Sequence, residues 1–356
     1  MGDAKMTDYS TIDGGGSSFL HMTLRRYIVS IITLTMLHAG PTAAEEAQYQ
    51  LGRGLKVNDG LIVGGYFSTE YANGDDEESF VIDDLAILVY GTLASNFTYL
   101  AELESKDFYK IDFENDTEES NTDPFVERLY GDYKHSDQFS IRFGKQITPI
   151  GYWNLQPINV LRDTTSSPML SKRMFPKFLS GLDVYGYTPF SESLTYHLYM
   201  QATEDLDTER INIDADSHYG ISLEKYLPGG WQLGGSLGVF TEKDDSRTHY
   251  IQLNSKLDLY RYTLLAEAIF NYKDPDGGNS EESEAFYIQG EYRIHSKHAL
   301  IARIEYFNDD AEKPKERIGI LGYSYRPVYP VSFKIEYQWH ADTNSNRMLS
   351  SFSVLF

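Results

Sequence analysis

The chain of 356 residues carries 31 basic and 53 acidic side chains, a net charge of −22, with no cysteine and 28 tyrosines. The missing cysteine excludes a disulfide-stapled domain, a thiolate metal site and a cysteine nucleophile, and the acid excess without a basic stripe argues against a nucleic-acid partner. With 41% hydrophobic residues the chain is too apolar for disorder, while a mean hydropathy of −0.42 argues against a helical membrane protein, leaving a globular fold or a membrane fold that is apolar only at every second position.

From Met22 the chain reads Met-Thr-Leu-Arg25-Arg26, then a mostly apolar stretch from Tyr27 to Ala39, then Gly40-Pro41-Thr42-Ala43-Ala44 ahead of Glu45. Two arginines, an apolar run and small residues at Thr42 and Ala44 are the three parts of a secretory signal, with cleavage expected after Ala44. A short buried helix or an interfacial anchor is the bland alternative. Residues 1–21 have none of these features and are expected to be an upstream extension. The expected organisation is therefore 1–44 removed on export and 45–356 as the mature domain, whose net charge is still −22 because three basic residues balance three acidic ones in 1–44.

The mature chain alternates with a period of two. Val331, Phe333, Ile335, Tyr337 and Trp339 fall on one face, against Ser332, Lys334, Glu336, Gln338 and His340 on the other. Phe286, Ile288, Gly290, Tyr292 and Ile294 oppose Tyr287, Gln289, Glu291, Arg293 and His295 in the same way. Sixteen such strands are expected near 60–71, 78–93, 96–105, 125–135, 139–149, 180–190, 194–203, 217–227, 231–241, 248–259, 262–272, 284–295, 298–307, 317–326, 331–340 and 347–356. A strand with one apolar face needs an apolar medium on that side, which a soluble sandwich or a membrane barrel can supply. The connections separate the two. Short links such as Ser95-Asn96, Pro228-Gly229-Gly230 and Ser296-Lys297 alternate with longer acidic ones such as Lys106–Pro124, Glu204–Asp216 and Lys273–Ser283. Short turns at one end and long loops at the other fit an all-β fold, a transmembrane antiparallel up-and-down β-barrel with its short turns periplasmic and tyrosines at both interfaces.

Two segments carry a resemblance. The chain ends Ser351-Phe352-Ser353-Val354-Leu355-Phe356, and a final aromatic with apolar residues at alternate positions (Phe352, Val354, Phe356) resembles the C-terminal assembly signal of Gram-negative outer-membrane proteins. Arg142-Phe143-Gly144-Lys145-Gln146-Ile147-Thr148-Pro149-Ile150-Gly151 is similar to the end of the fifth strand in Gram-negative porins, including those called phosphate-selective, although the dense arginine ladder of a phosphate channel is missing. The resemblance implies an outer-membrane diffusion channel for small hydrophilic solutes or ions. Its implied partners are membrane lipid, lipopolysaccharide and, through the last strand, the barrel-assembly machinery, with a homotrimer as one assembly state. It further implies that the loop after strand five, Tyr152 to about Ser180, folds into the lumen and narrows it.

That loop is basic where its neighbours are acidic: Arg162, Lys172, Arg173 and Lys177 stand against Asp163. With Arg142 below it and Glu267, Glu291, Glu305 and Glu336 on the lumen face of later strands, these cations are the candidate pore constriction. A basic loop among low-dielectric walls focuses a positive potential at the narrowest point; the bland alternative is that the cations pair with lumen acids and only hold the loop in place. The eleven apolar residues from Trp153 to Leu179 (Leu170, Met174 and Phe175 among them) also favour an inward position over an exposed one.

Other chemistry is weak. His295 and His298 lack a third ligand at zinc spacing, no Gly-x-Ser-x-Gly elbow appears, and Asp274–Glu282 lacks the register of a calcium loop. No cofactor, metal or catalytic set is expected; an outer-membrane enzyme and a structural or adhesive barrel without an open pore are the alternatives to a channel. Sequencing of the membrane-purified protein from its N-terminus should begin at Glu45, and a start at or before Met22 would overturn the signal assignment.

Overall fold

A computed structural model describes residues 48–356 except 76, 207–211, 310–312 and 344, together with all side chains of the described residues but those of 313 and 314. The expected signal segment 1–44 lies outside the described residues. Among the described residues, sixteen long strands follow one another in chain order. They are β1 (Leu61–Gly74), β2 (Glu78–Ala94), β3 (Phe97–Asp112), β4 (Phe125–Ser136), β5 (Phe139–Ile147), β6 (Phe178–Thr188), β7 (Ser191–Gln201) and β8 (Ala215–Leu227). The second half comprises β9 (Trp231–Glu242), β10 (Arg247–Asp258), β11 (Tyr262–Asp274), β12 (Glu281–His295), β13 (His298–Asp309), β14 (Lys313–Val328), β15 (Val331–His340) and β16 (Arg347–Leu355). Each pairs antiparallel with its sequence neighbour, and β16 pairs with β1 from Arg347↔Gly74 to Leu355↔Tyr66, so the sheet closes on itself.

Burial along the strands is the reverse of a soluble core. Leu253, Ile304 and Trp339 are 55%, 59% and 43% exposed on the outer face, while Gln252, Arg303 and Glu336 on the inner face are 0%, 1% and 2% exposed. A protein surface of Leu, Ile, Phe and Tyr wrapped around charged groups is stable only if the outside is lipid. The alternation that left a sandwich possible is thereby resolved as a barrel.

The seam is specified locally. The Gly65 amide donates to the Phe356 carbonyl at 2.8 Å, and the Phe356 amide donates back to the Gly65 carbonyl at 2.8 Å. A Cβ on Gly65 would stand 2.3 Å from the Ala86 carbonyl oxygen and 2.9 Å from the Phe356 ring, so only glycine lets the terminal ring lie there. Phe352 and Val354 are half-buried on the outer side of β16, with Ser351 and Ser353 buried on the inner side, and Phe352 packs on Phe333 of β15 at 4.9 Å between ring centroids. Before the barrel, Gln48–Gln50 and Gly54–Asn58 form a short antiparallel pair, and the second of these pairs with the start of β1 through Leu55↔Val63 and Lys56↔Ile62.

Several boundaries differ from the sequence reading, the twelfth and fourteenth strands among them, which start at Glu281 and Lys313 and not at 284 and 317. The third strand does not stop at 105 but runs to Asp112, because Thr117–Ser120 folds back and pairs with Tyr109–Asp112, extending the hairpin beyond the barrel wall. The sixth strand starts at Phe178 and not at 180, pairing Phe178 with Ile147. The stretch before the first strand, to which the sequence reading assigned no strand, contains the short pair at 48–58.

Gly65→Ala should destabilise the barrel by about 1–3 kcal/mol through this overpacking, whereas Gly290→Ala, whose Cβ would meet nothing within 4 Å, should be close to neutral. Thermal unfolding followed by the mobility shift of heated against unheated protein checks both. Equal midpoints for the two variants would show that the seam tolerates a side chain.

Candidate functional site

Between β5 and β6 the chain from Thr148 to Lys177 leaves the wall and runs through the interior, with a single 3₁₀ turn at Asn159–Leu161 and one helical turn at Met169–Arg173. A loop in such a place must have its backbone polar groups satisfied by the wall. Wall carboxylates do this. Glu267 of β11 accepts from the amides of Tyr152 at 3.0 Å and Trp153 at 2.9 Å, from the Tyr287 hydroxyl at 2.6 Å and from Gln252 at 3.3 Å. Gly151 permits this approach: its φ is +67°, and a Cβ there would fall 2.0 Å from Glu267 Oε2. Glu336 of β15 accepts from the amides of Thr165 at 2.9 Å and Ser166 at 3.1 Å, and Glu305 of β13 accepts from the amide of Met169 at 2.8 Å.

Wall cations hold the loop carbonyls in a complementary way. Arg303 of β13 donates to the Ser166 carbonyl and hydroxyl at 3.1 and 2.7 Å, to Thr164 at 3.1 Å and to Glu305 at 2.7 Å. Lys334 of β15 donates to the carbonyls of Asn159 at 2.8 Å and Thr164 at 3.2 Å, and Arg326 of β14 donates to Asp163 at 3.1 Å and to the Val160 and Arg162 carbonyls. Charge-assisted bonds of this kind are worth about 1.5–3 kcal/mol each.

Packing completes the attachment. Ile150, Leu170, Met174 and Phe175 bury their side chains against Tyr199, Phe240, Tyr250, Ile269 and Phe307, which come from β7, β9, β10, β11 and β13. Ile158 and Val160 pack on Tyr66, Ala86 and Leu88 of β1 and β2. Each large apolar side chain removed from water contributes roughly 1.5–3 kcal/mol.

The sequence-derived candidates divide into three groups. Glu267, Glu305 and Glu336, expected on the lumen face as part of the constriction, are bonded to the loop itself, and Glu291 lies against Asp163 of the loop and accepts from Gln289 at 2.8 Å. Arg142 is apart from these: it pairs with Asp132 of β4 at 2.6 Å and lies 4.5 Å over the Tyr130 ring and 5.4 Å over the Tyr185 ring, contacts with the wall alone. Among the loop cations, Lys172 and Arg173 are exposed, Arg162 is half-buried, and Lys177 faces Glu127 of β4 at 3.6 Å. The acids whose charges bear most on Arg162 are Asp84, Glu127 and Asp83, and on Lys172 it is Glu70.

Those acids were not singled out in the sequence. Asp83 and Asp84 oppose Ser68 at a register shift in the β1–β2 pairing, a bulge that interrupts the alternation, and the Ser68 hydroxyl donates to Asp84 at 2.9 Å. Nothing in the local pattern separates Glu70 and Glu127 from other inward carboxylates. The anchoring cations were legible in part, since Arg303 with Glu305 and Lys334 with Glu336 are i,i+2 pairs on one strand face.

No family model matches the chain, and no curated relative matches it. Solved structures do. OmpF of Salmonella typhi, in complex with daunomycin, aligns with 10% identity and a TM-score of 0.62 over 87% of this chain and 100% of that one. The chain has the fold of the sixteen-stranded outer-membrane porins. OmpT of Vibrio cholerae, described as an outer-membrane protein in trimer form, aligns at 12% identity with a TM-score of 0.61 over 83% and 99% of the two chains. The anion-selective porin from Comamonas acidovorans aligns at 11% and 0.59 over 83% and 99%. The likeness is one of fold: a closed sixteen-stranded antiparallel barrel of the porin kind.

Glu336→Ala should loosen the loop without opening the wall, because it strips two loop amides of their acceptor in a buried setting. The expected cost of about 1–3 kcal/mol corresponds to roughly 5- to 150-fold faster hydrogen exchange at Thr165 and Ser166. Unchanged protection of those two amides in the folded variant would show that another group carries the anchor.

Proposed function

We propose that the chain is a passive outer-membrane channel for small hydrophilic solutes or ions, narrowed by the loop 152–180. The observation that supports this reading is the inversion of polarity: the interior is lined by charged and amide side chains, and a loop bearing exposed cations is bolted to that lining. In this reading the passage runs between the loop cations and the acids of β1, β2 and β4, since the opposite side is filled by the apolar packing of the loop on β7 to β13. The interior carboxylates Glu267, Glu305 and Glu336 accept from backbone amides and not from a nucleophile, which favours transport over chemistry. Membrane lipid and lipopolysaccharide against the apolar belt, assembly through the strand ending at Phe356, and a homotrimer complete the proposal, the last prompted by the trimer form of the Vibrio relative.

Charge at the narrowest point should decide ion preference. The outer loops are acidic, but salt screens them over a Debye length of about 8 Å at physiological strength. Inside the passage, loop cations oppose Glu70, Asp83, Asp84 and Glu127, so weak selectivity is expected. Replacing Lys172→Glu and Arg173→Glu together reverses two charges beside that acidic wall. Planar-bilayer recordings in a KCl gradient should show the reversal potential moving clearly toward the cation limit. The wild-type reversal potential in the double variant would mean that the loop does not line the path, and no conductance in either protein would sink the channel.

A further inference from the structure

We propose that the loop and β3 build a seat for the carboxylate group of a passing solute, an inference that rests on the channel reading above. A recess of about 60 Å³ inside the barrel is lined by Lys106 of β3 and by Arg162, Lys172 and Lys177 of the loop, with the Ser167 and Ser171 hydroxyls and Trp153 and Asn154 completing it. Among the described residues, none that lines it is acidic. The volume suits one small oxyanion group, not a whole sugar or peptide.

The four cations are not equivalent. Lys106 has Asp84 at 3.8 Å and Lys177 has Glu127 at 3.6 Å. Arg162 is fixed by neutral acceptors: it donates to the carbonyls of Gln156 at 2.5 Å and Pro157 at 2.6 Å and to the Ser167 hydroxyl at 3.0 Å. Among the described residues, neither Arg162 nor Lys172 has a carboxylate within 4 Å, so two positive charges in the recess lack a direct counter-ion. The Trp153 indole N–H is buried without an acceptor, although a buried donor ordinarily has one. Two cations without a direct counter-ion, with the Ser167 hydroxyl beside them, form a donor set for an anionic oxygen group, whereas the Ser171 hydroxyl already donates to the Pro168 carbonyl at 2.9 Å.

Charge at the rim selects which anion. Asp84 and Glu127 stand beside two of the lysines, and Asp83 and Glu70 act on Arg162 and Lys172, so the recess is close to neutral and offers a second negative charge no further gain, which favours a carboxylate over a phosphate dianion. Planar carboxylate oxygens also accept from a guanidinium and an ammonium together. The affinity has to be modest, because a site on a diffusion path must release what it binds. Half-saturation on the order of millimolar is expected.

Trp153 is a built-in reporter, with the Arg162 guanidinium 5.7 Å and the Arg303 guanidinium 5.3 Å from its ring centroid. The other two tryptophans, Trp231 and Trp339, are exposed on the outer face, so Trp231→Phe and Trp339→Phe together leave Trp153 as the sole indole without touching the interior. In detergent, this full-length variant is titrated with sodium acetate, sodium phosphate and sodium chloride at constant ionic strength. Acetate should change the Trp153 emission saturably, and Lys172→Gln, which removes an exposed side chain that anchors nothing, should weaken that response about tenfold. An equal response to chloride, a tighter response to phosphate, or no effect of Lys172→Gln would overturn the seat. Conductance without an acetate response would also overturn it while leaving the channel intact. An acetate response in a protein that conducts nothing would support the seat and sink the channel reading.

Discussion

A chain in lipid finds no water for its backbone, so every strand edge must be paired, and here that constraint is met where β16 returns to β1. The two bonds between Gly65 and Phe356 are the last of that ladder, and closure has consequences for everything inside it. Once the sheet is a cylinder, one face of each strand meets acyl chains and the other meets a polar interior. The strands comply residue by residue, as Val331–His340 shows, with five apolar side chains outward and Ser332, Lys334, Glu336, Gln338 and His340 buried inward.

The interior then poses its own difficulty. Buried charges are costly unless paired, and a loop crossing a barrel exposes amides and carbonyls that a strand would have paired. Each of these supplies what the other lacks. Glu267, Glu305 and Glu336 take loop amides, and Arg303, Arg326 and Lys334 take loop carbonyls, so wall charge and loop backbone satisfy one another. Ile150, Leu170, Met174 and Phe175 fill the β7–β13 side and Ile158 and Val160 pack on β1 and β2, while Lys172 has Glu70 of β1 as its main charge partner and Lys177 faces Glu127 of β4. The resulting charge arrangement is lopsided. Acids on one part of the wall are neutralised in structural bonds, and acids on another part face the cations.

Polar interiors of this kind make selectivity a matter of position more than of count. The chain's net charge of −22 says little about the interior, where Glu267, Glu305 and Glu336 are engaged in anchoring the loop. In the proposed channel a solute would meet Lys172, Arg173 and Arg162 on the loop, across from Glu70, Asp83 and Glu127 on the wall. The recess beside Trp153 lies among the first of these sets.

Much of this was readable from the residues in order. Period-two alternation, short links alternating with long ones and the terminal Phe352-x-Val354-x-Phe356 pattern define the sixteen strands and their faces, because a strand's two faces and its neighbours along the chain are local properties. The basic loop after the fifth strand was legible for the same reason, as a change of charge and a run of apolar residues between two strands. What each inward charge binds was not legible. Glu267 meets Tyr152 and Trp153 across more than a hundred residues of chain, and Glu336 meets Thr165 across 171. Such partners are set by barrel closure and by the path of one loop, so the sequence alone determined the barrel and its lining, and only the tertiary structure decided which charges anchor the loop and which do not.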